Sequence, residues 1–157
     1  MDHKVGVIPF DIKGDRIAIM FVTSQGRGRW ILPKGNLKNG ETAKKGCSRE
    51  AFEEAGVEGS LLSKIPMTLP ISKSENGKTK AVAVTYYPML VEKQFDEWPE
   101  SSKRQRHWAT LEDAQKVTDR EDFLKVIQLF TDLKPLILDI AGRKKEKRQA
   151  QPTQARW

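Results

Sequence analysis

The stretch from Gly35 to Val57 restricts this chain more than any other: a polar loop leads straight into a short helix with three glutamates on one side. Residues 34–41 are rich in Gly and Asn and read as loop. A helix fits 42–55, with Thr42 as its N-cap and Gly56 as its C-terminal stop. At about 100° per residue with Glu50 at zero, Glu54 falls near +40° and Glu53 near −60°. Cys47, Ala51, Phe52 and Ala55 occupy another arc and are expected to face a core, which makes Cys47 a packing residue. Gly46 lies on the acidic side one turn before Glu50, where a missing side chain is expected to leave room for a substrate. Arg49 borders the patch and can grip a carboxylate with its fork of donors.

Local energetics argue against such a patch. Like charges at i, i+3 and i+4 destabilise a helix, and its C-terminal end disfavours negative charge. A hard cation reverses the balance, because carboxylate oxygens are the ligands magnesium and manganese prefer. The alternative is a solvated acidic face balanced by Lys44, Lys45 and Arg49.

Around this segment, residues 4–10 and 16–22 read as strands joined by a Lys13-Gly14-Asp15 turn. The second is apolar on both faces and expected to be central. Thr23 to Arg29 is a loop, and Trp30 to Leu32 is extended. Strands return near 61–71 and 79–91, with turn residues at 74–77. A loop spans Gln94 to Ser102, a strand Arg106 to Ala109, and a short helix Leu111 to Val117. A longer helix covers about 120–140, and Pro135 should kink or divide it. This order implies an α+β fold, an α/β/α sandwich around a mixed sheet.

The 157 residues suit one domain, expected over 1–141. The formal charge of +7 is uneven. Arg143, Lys144, Lys145, Lys147, Arg148 and Arg156 against Glu146 give +5, leaving +2 for residues 1–142. Residues 142–157 are therefore expected to form a basic, disordered tail. No apolar run is long enough to span a membrane, no secretory leader is evident, and the single cysteine suits a reducing, cytoplasmic setting. His3 and His107 sit in no metal-ligand spacing. Trp30 and Trp108 suit core packing, with base stacking as the alternative.

Gly35, Glu41, Arg49, Glu50, Glu53, Glu54 and Gly56, with apolar Ala51 and Val57, match every defining position of the Nudix box. The chain thus resembles the Nudix hydrolases over about residues 4–135. That resemblance implies a Nudix fold that cleaves phosphoanhydride bonds with Mg2+, Mn2+ substituting. Carried over by position, Glu50 and Glu54 are the main metal ligands, with Glu53 and the carbonyl of Gly35 beside them. Arg49 orients the glutamates, and Glu41 braces the loop or contacts water around the metal. Glu50 or Glu53 is the expected general base; Glu92, Asp96, Glu97 and Glu100 are further candidates.

Four further segments resemble the diphosphoinositol polyphosphate phosphohydrolases and their bacterial relatives. They are Gly28 to Gly35, Glu97-Trp98, Lys103 to Trp108, and Leu111 to Ala114. Pro33-Lys34-Gly35-Asn36 departs from the glycine cluster usual there. The expected substrate is a diphosphoinositol polyphosphate or a dinucleoside polyphosphate, gripped by Lys4, Arg29, Lys34, Lys80, Arg104 and Arg106. RNA 5′ ends, helped by the basic tail, or another nucleoside diphosphate linked to a further moiety are the alternative classes. A non-catalytic binding module is remote, because all the box glutamates are present.

Overall fold

The computed structural model describes residues 3–147. Its strands are β1 (His3–Lys13), β2 (Arg16–Thr23), β3 (Trp30–Ile31), β4 (Lys34–Asn36), β5 (Val57–Leu61), β6 (Met67–Glu75), β7 (Lys78–Gln94) and β8 (Arg106–Thr110). Its α-helices are α1 (Ala43–Glu50), α2 (Leu111–Val117), α3 (Glu121–Asp132) and α4 (Lys134–Glu146). The sheet runs β3-β2-β1-β7-β5, with β4 on β1, β6 on β7 and β8 on β2. Only β1 and β7 pair in parallel among the described strands, so the sheet is mixed as expected. Among the described residues, no helix is long and apolar enough to cross a membrane.

Alternation along the two inner strands creates the layers. Ile8, Phe10 and Ile12 of β1, with Ile17, Ile19 and Phe21 of β2, point into a core closed by α2, α3 and α4. Val5, Val7, Met20 and Val22 point the other way, onto Cys47, Ala51 and Ala55. A period of two sends consecutive residues to opposite faces, so one apolar run fills two cores. Phe130 of α3 is fully buried and meets Phe10 edge-on at 5.6 Å between ring centroids. Phe130→Ala is expected to cost about 3–5 kcal/mol. Urea unfolding at constant m-value measures it, and a cost under about 1 kcal/mol would contradict this packing.

Several expectations are corrected. The stretch 61–71 is not one strand: the chain turns after Leu61, with Ile65 N–H donating to Leu62 O, and Pro66 precedes β6. The acidic helix is not uniform. It starts with the Thr42 cap, whose hydroxyl accepts from Lys45 N–H at 3.2 Å, but Ala51–Ala55 is a π-helical turn. There Gly56 N–H reaches back to the carbonyls of Ala51 and Phe52, and Gly56 closes the turn at φ 65°, where a side chain would be strained. Phe52 leaves the core arc and packs edge-on against Phe95.

The helix over 120–140 divides at Pro135, which starts α4, as the sequence implies. Residues 142–146, expected in the tail, are still helical in α4. Lys145 Nζ lies 3.1 Å from Asp11 Oδ1 and donates to Ile12 O at 2.7 Å, tying α4 to the first hairpin. The rest of the expected tail, residues 148–157, lies outside the described residues.

Candidate active site

Pairing of β4 with β1 sets Gly35 opposite Val5, beside α1. A Cβ on Gly35 would fall on the carboxylate of Glu50, so the glycine is what lets loop and helix close together. Gly46 serves the same closure rather than leaving room for a substrate. A Cβ there would collide with Leu37 and come within 3.2 Å of Glu41 Oε1.

Arg49 organises the site. Its Nε and Nη2 donate to the two oxygens of Glu41 at 2.8 and 2.9 Å. Nη1 reaches Glu50 at 2.8 Å and Glu53 at 3.3 Å, and Nη2 also reaches the Asn36 carbonyl. Glu41 further accepts Lys38 N–H at 2.9 Å. Arg49, then that amide, hold the Glu41 carboxyl down at about 2. Loop and helix are thus locked by one bidentate pair and its branches.

Glu50 and Glu54 are buried, 9% and 4% exposed, and the negative charge of Glu50 acts on Glu54. Burial, then Glu50, pushes the Glu54 carboxyl well above the usual carboxylate range, against the pull of Arg104. Glu53 turns outward to Arg49, its side chain 33% exposed. Among the described residues no three acidic, histidine or cysteine side chains close on one point. The pair and Gly35 still suit a hard cation: the donors are oxygens, and without a side chain Gly35 lets its backbone lie against the Glu50 carboxylate. Burial raises the Cys47 thiol to about 12, in keeping with a packing role.

The expected substrate cations divide. Arg104 is 11% exposed; it donates to Thr23 O at 2.9 Å and Glu100 at 2.8 Å, and lies 3.4 Å from Glu54. Arg106 donates to the carbonyls of Ala55 and Phe95 and stacks on Trp98 at 3.8 Å. Both forks are engaged inside the protein, Arg104 by Thr23 and Glu100 and Arg106 by Ala55 and Phe95. Lys34 is half-buried on β4. Burial, then Lys4, lowers its ammonium, while Glu54 raises it. Lys80 is exposed across from Lys73 in the β6–β7 hairpin, and Arg29 is exposed in the loop after β2.

Of the further acids, Glu100 comes to the site. It accepts from Arg104 and Gln25, and its N–H donates to Glu53 O. Glu92 instead takes the Ser60 hydroxyl. Asp96 and Glu97 are exposed. Trp108 donates to Gln94 and packs on the α1 side, whereas Trp30 lies against His107. His3 bonds Thr85. The sequence offered no structural role for Trp98. Its Nε1 donates to Glu54 O at 3.0 Å and its ring covers Gly56, pinning the end of the acidic helix. An aromatic ring in an otherwise acidic loop was the available signal.

The NUDIX domain model matches residues 3–130. The chain belongs to the Nudix family. Nudix hydrolase 21, chloroplastic, of Arabidopsis thaliana is 31% identical over 134 residues, covering 83% of this chain and 66% of that protein. Diphosphoinositol polyphosphate phosphohydrolase 3-beta of Bos taurus is 32% identical over 91 residues, covering 57% of this chain and 52% of that one. The crystal structure of a C. elegans Ap4A hydrolase binary complex superposes with a TM-score of 0.66 at 21% identity, covering 85% of this chain and 97% of that one. The last likeness establishes the Nudix fold, expected from the box and now seen in the sheet.

Proposed function

We propose that this protein is a divalent-cation-dependent pyrophosphohydrolase cleaving a phosphoanhydride bond in a diphosphoinositol polyphosphate or a dinucleoside polyphosphate. The observation that carries this reading is the buried Glu50–Glu54 pair set against Gly35 and braced by Arg49. In this assignment Glu50, Glu54 and the Gly35 carbonyl hold Mg2+, with Mn2+ able to replace it, and Glu53 supports them. Bound cations would neutralise the pyrophosphate charge and make water more acidic. Arg49 fixes the angle of Glu50 and Glu53, and Glu41 fixes Arg49. Glu53 is the most exposed of the three carboxylates, and it accepts the proton as water oxygen bonds to phosphorus and the anhydride P–O bond breaks. Lys34, with Lys4 beside it, donates to phosphate oxygens as charge builds on the leaving group. The relatives named above support the substrate class, because one cleaves a diphosphoinositol polyphosphate and another is an Ap4A hydrolase by name.

A substrate panel tests the assignment. With Mg2+, hydrolysis is expected of a diphosphoinositol polyphosphate, a dinucleoside polyphosphate or both, and EDTA is expected to abolish it. Cleavage of only nucleoside diphosphate sugars or RNA 5′ ends would overturn the substrate class. Failure on every phosphoanhydride would overturn the activity.

A further inference from the structure

A cleft of about 540 Å³ opens between the loop after β2 and the β6–β7 hairpin, lined by Arg27, Arg29, Arg120, Ser72, Ser74 and Thr79. We propose that this cleft is an anion subsite that takes a phosphate group of the substrate remote from the bond being cut. The proposal rests on the phosphoanhydride reading above and extends it to the non-reacting part of the substrate.

The walls are built for the purpose. Ser24 closes the loop: its N–H donates to Arg29 O at 2.7 Å, its hydroxyl accepts Arg29 N–H at 3.0 Å, and its carbonyl accepts Gly28 N–H at 3.1 Å. Gly28 takes the left-handed conformation the turn needs, φ 64°. Arg27 and Arg29 are exposed on this closed turn. Opposite them, Arg120 Nη2 is held by Asp122 at 2.7 Å and by Ser72 O at 2.9 Å, and its guanidinium lies over Phe123 at 4.6 Å. Asp122 also accepts Ser72 N–H, so hairpin and α3 are bolted together at this residue. Arg120 stays 25% exposed, with donors left over, and its guanidinium is ordered before any ligand arrives. Three guanidinium groups with serine and threonine hydroxyls match phosphate oxygens, and among the described residues no aromatic ring lines this cleft.

The position relative to the carboxylates follows from the chain. Ile31 lines the cleft and Gly35 touches Glu50, four residues on and at most about 14 Å along extended backbone. Lys34 lies between and feels both Arg120 and Glu54. The unpartnered, buried Tyr86 hydroxyl feels the same two groups and Asp122. A substrate engaging both places carries phosphate at both ends.

Calorimetry with inositol hexakisphosphate in EDTA tests this without turnover. Arg27→Ala is expected to weaken binding at least 5-fold. Lys103→Ala removes the same charge from a different cleft beyond the loop and is expected to change binding less than 2-fold. Equal binding by parent and Arg27→Ala would overturn the subsite, and so would equal losses in both variants, which mark diffuse attraction to a basic protein. Absence of hydrolysis in the panel above, with this binding pattern intact, would remove the enzymatic reading and leave the anion site standing.

Discussion

Glu54→Gln is expected to lower kcat for Mg2+-dependent hydrolysis by about 10³-fold, some 4 kcal/mol of transition-state stabilisation. The same change is expected to leave the metal-free fold intact or firmer. Glu54 is 4% exposed and feels the charge of buried Glu50, and ionising it places two negative charges together away from water. Because its folded pKa lies above the ordinary carboxylate value, its contribution to stability is complete below about pH 4.5. That contribution fades as pH rises toward the raised value. Parent protein in EDTA should therefore lose Tm progressively above about pH 5, whereas the glutamine variant, which needs no proton, should lose less. Added Mn2+ should restore the parent and not the variant. Parent-like kcat in Glu54→Gln would remove this residue from the chemistry. A drop in its metal-free Tm as large as that of Phe130→Ala would show that the carboxyl pair is mainly structural.

Arg49→Ala should damage fold and activity together. One guanidinium joins Glu41, Glu50, Glu53 and the Asn36 carbonyl, so its loss leaves Glu50, buried beside Glu54, without its counter-charge. Removing one partner of a buried pair costs about 3–5 kcal/mol; with Arg49 20% exposed, about 2–3 kcal/mol is expected. Activity should fall about 10–100-fold through misplaced ligands. Arg49→Lys keeps the charge but cannot span both oxygens of Glu41, so it should recover part of the stability and little of the rate. Urea midpoints and kcat on one polyphosphate separate the two effects. A lysine variant matching the parent in both would show that charge alone suffices.

What could be read in advance, and what could not, divides by the range of the forces involved. Thr42, Gly56 and Pro135 act on their own few residues, and the structure places a cap, a stop and a helix break at those positions. The strand pattern was equally visible, because alternation is local even when its consequence, two cores, is not. The widened turn at Ala51–Ala55 carries no residue-level signature of its own. It took Phe52 off the arc that regular spacing assigns. Cations were the least legible. Whether a lysine or arginine keeps donors for a substrate depends on how many internal oxygens hold it, which the fold decides. Arg104 and Arg106 are claimed by carbonyls of Thr23, Ala55 and Phe95, as far as 81 positions away. Arg27 and Arg120 stood out in no motif, yet they face the cleft across which loop and hairpin meet.

The ammonium of Lys145 is seated on a carboxylate that is 1% exposed, so residues beyond Ala141 carry a contact with the first hairpin. The apolar contacts of α4 stop at Ala141, so hydrophobicity alone would allow a cut there. Such a cut would strip Asp11 of this cation on β1, the strand against which Gly35 is paired. A trimmed molecule would therefore weaken from the far end inward, and its loss of activity would say nothing about the shortened segment touching a substrate.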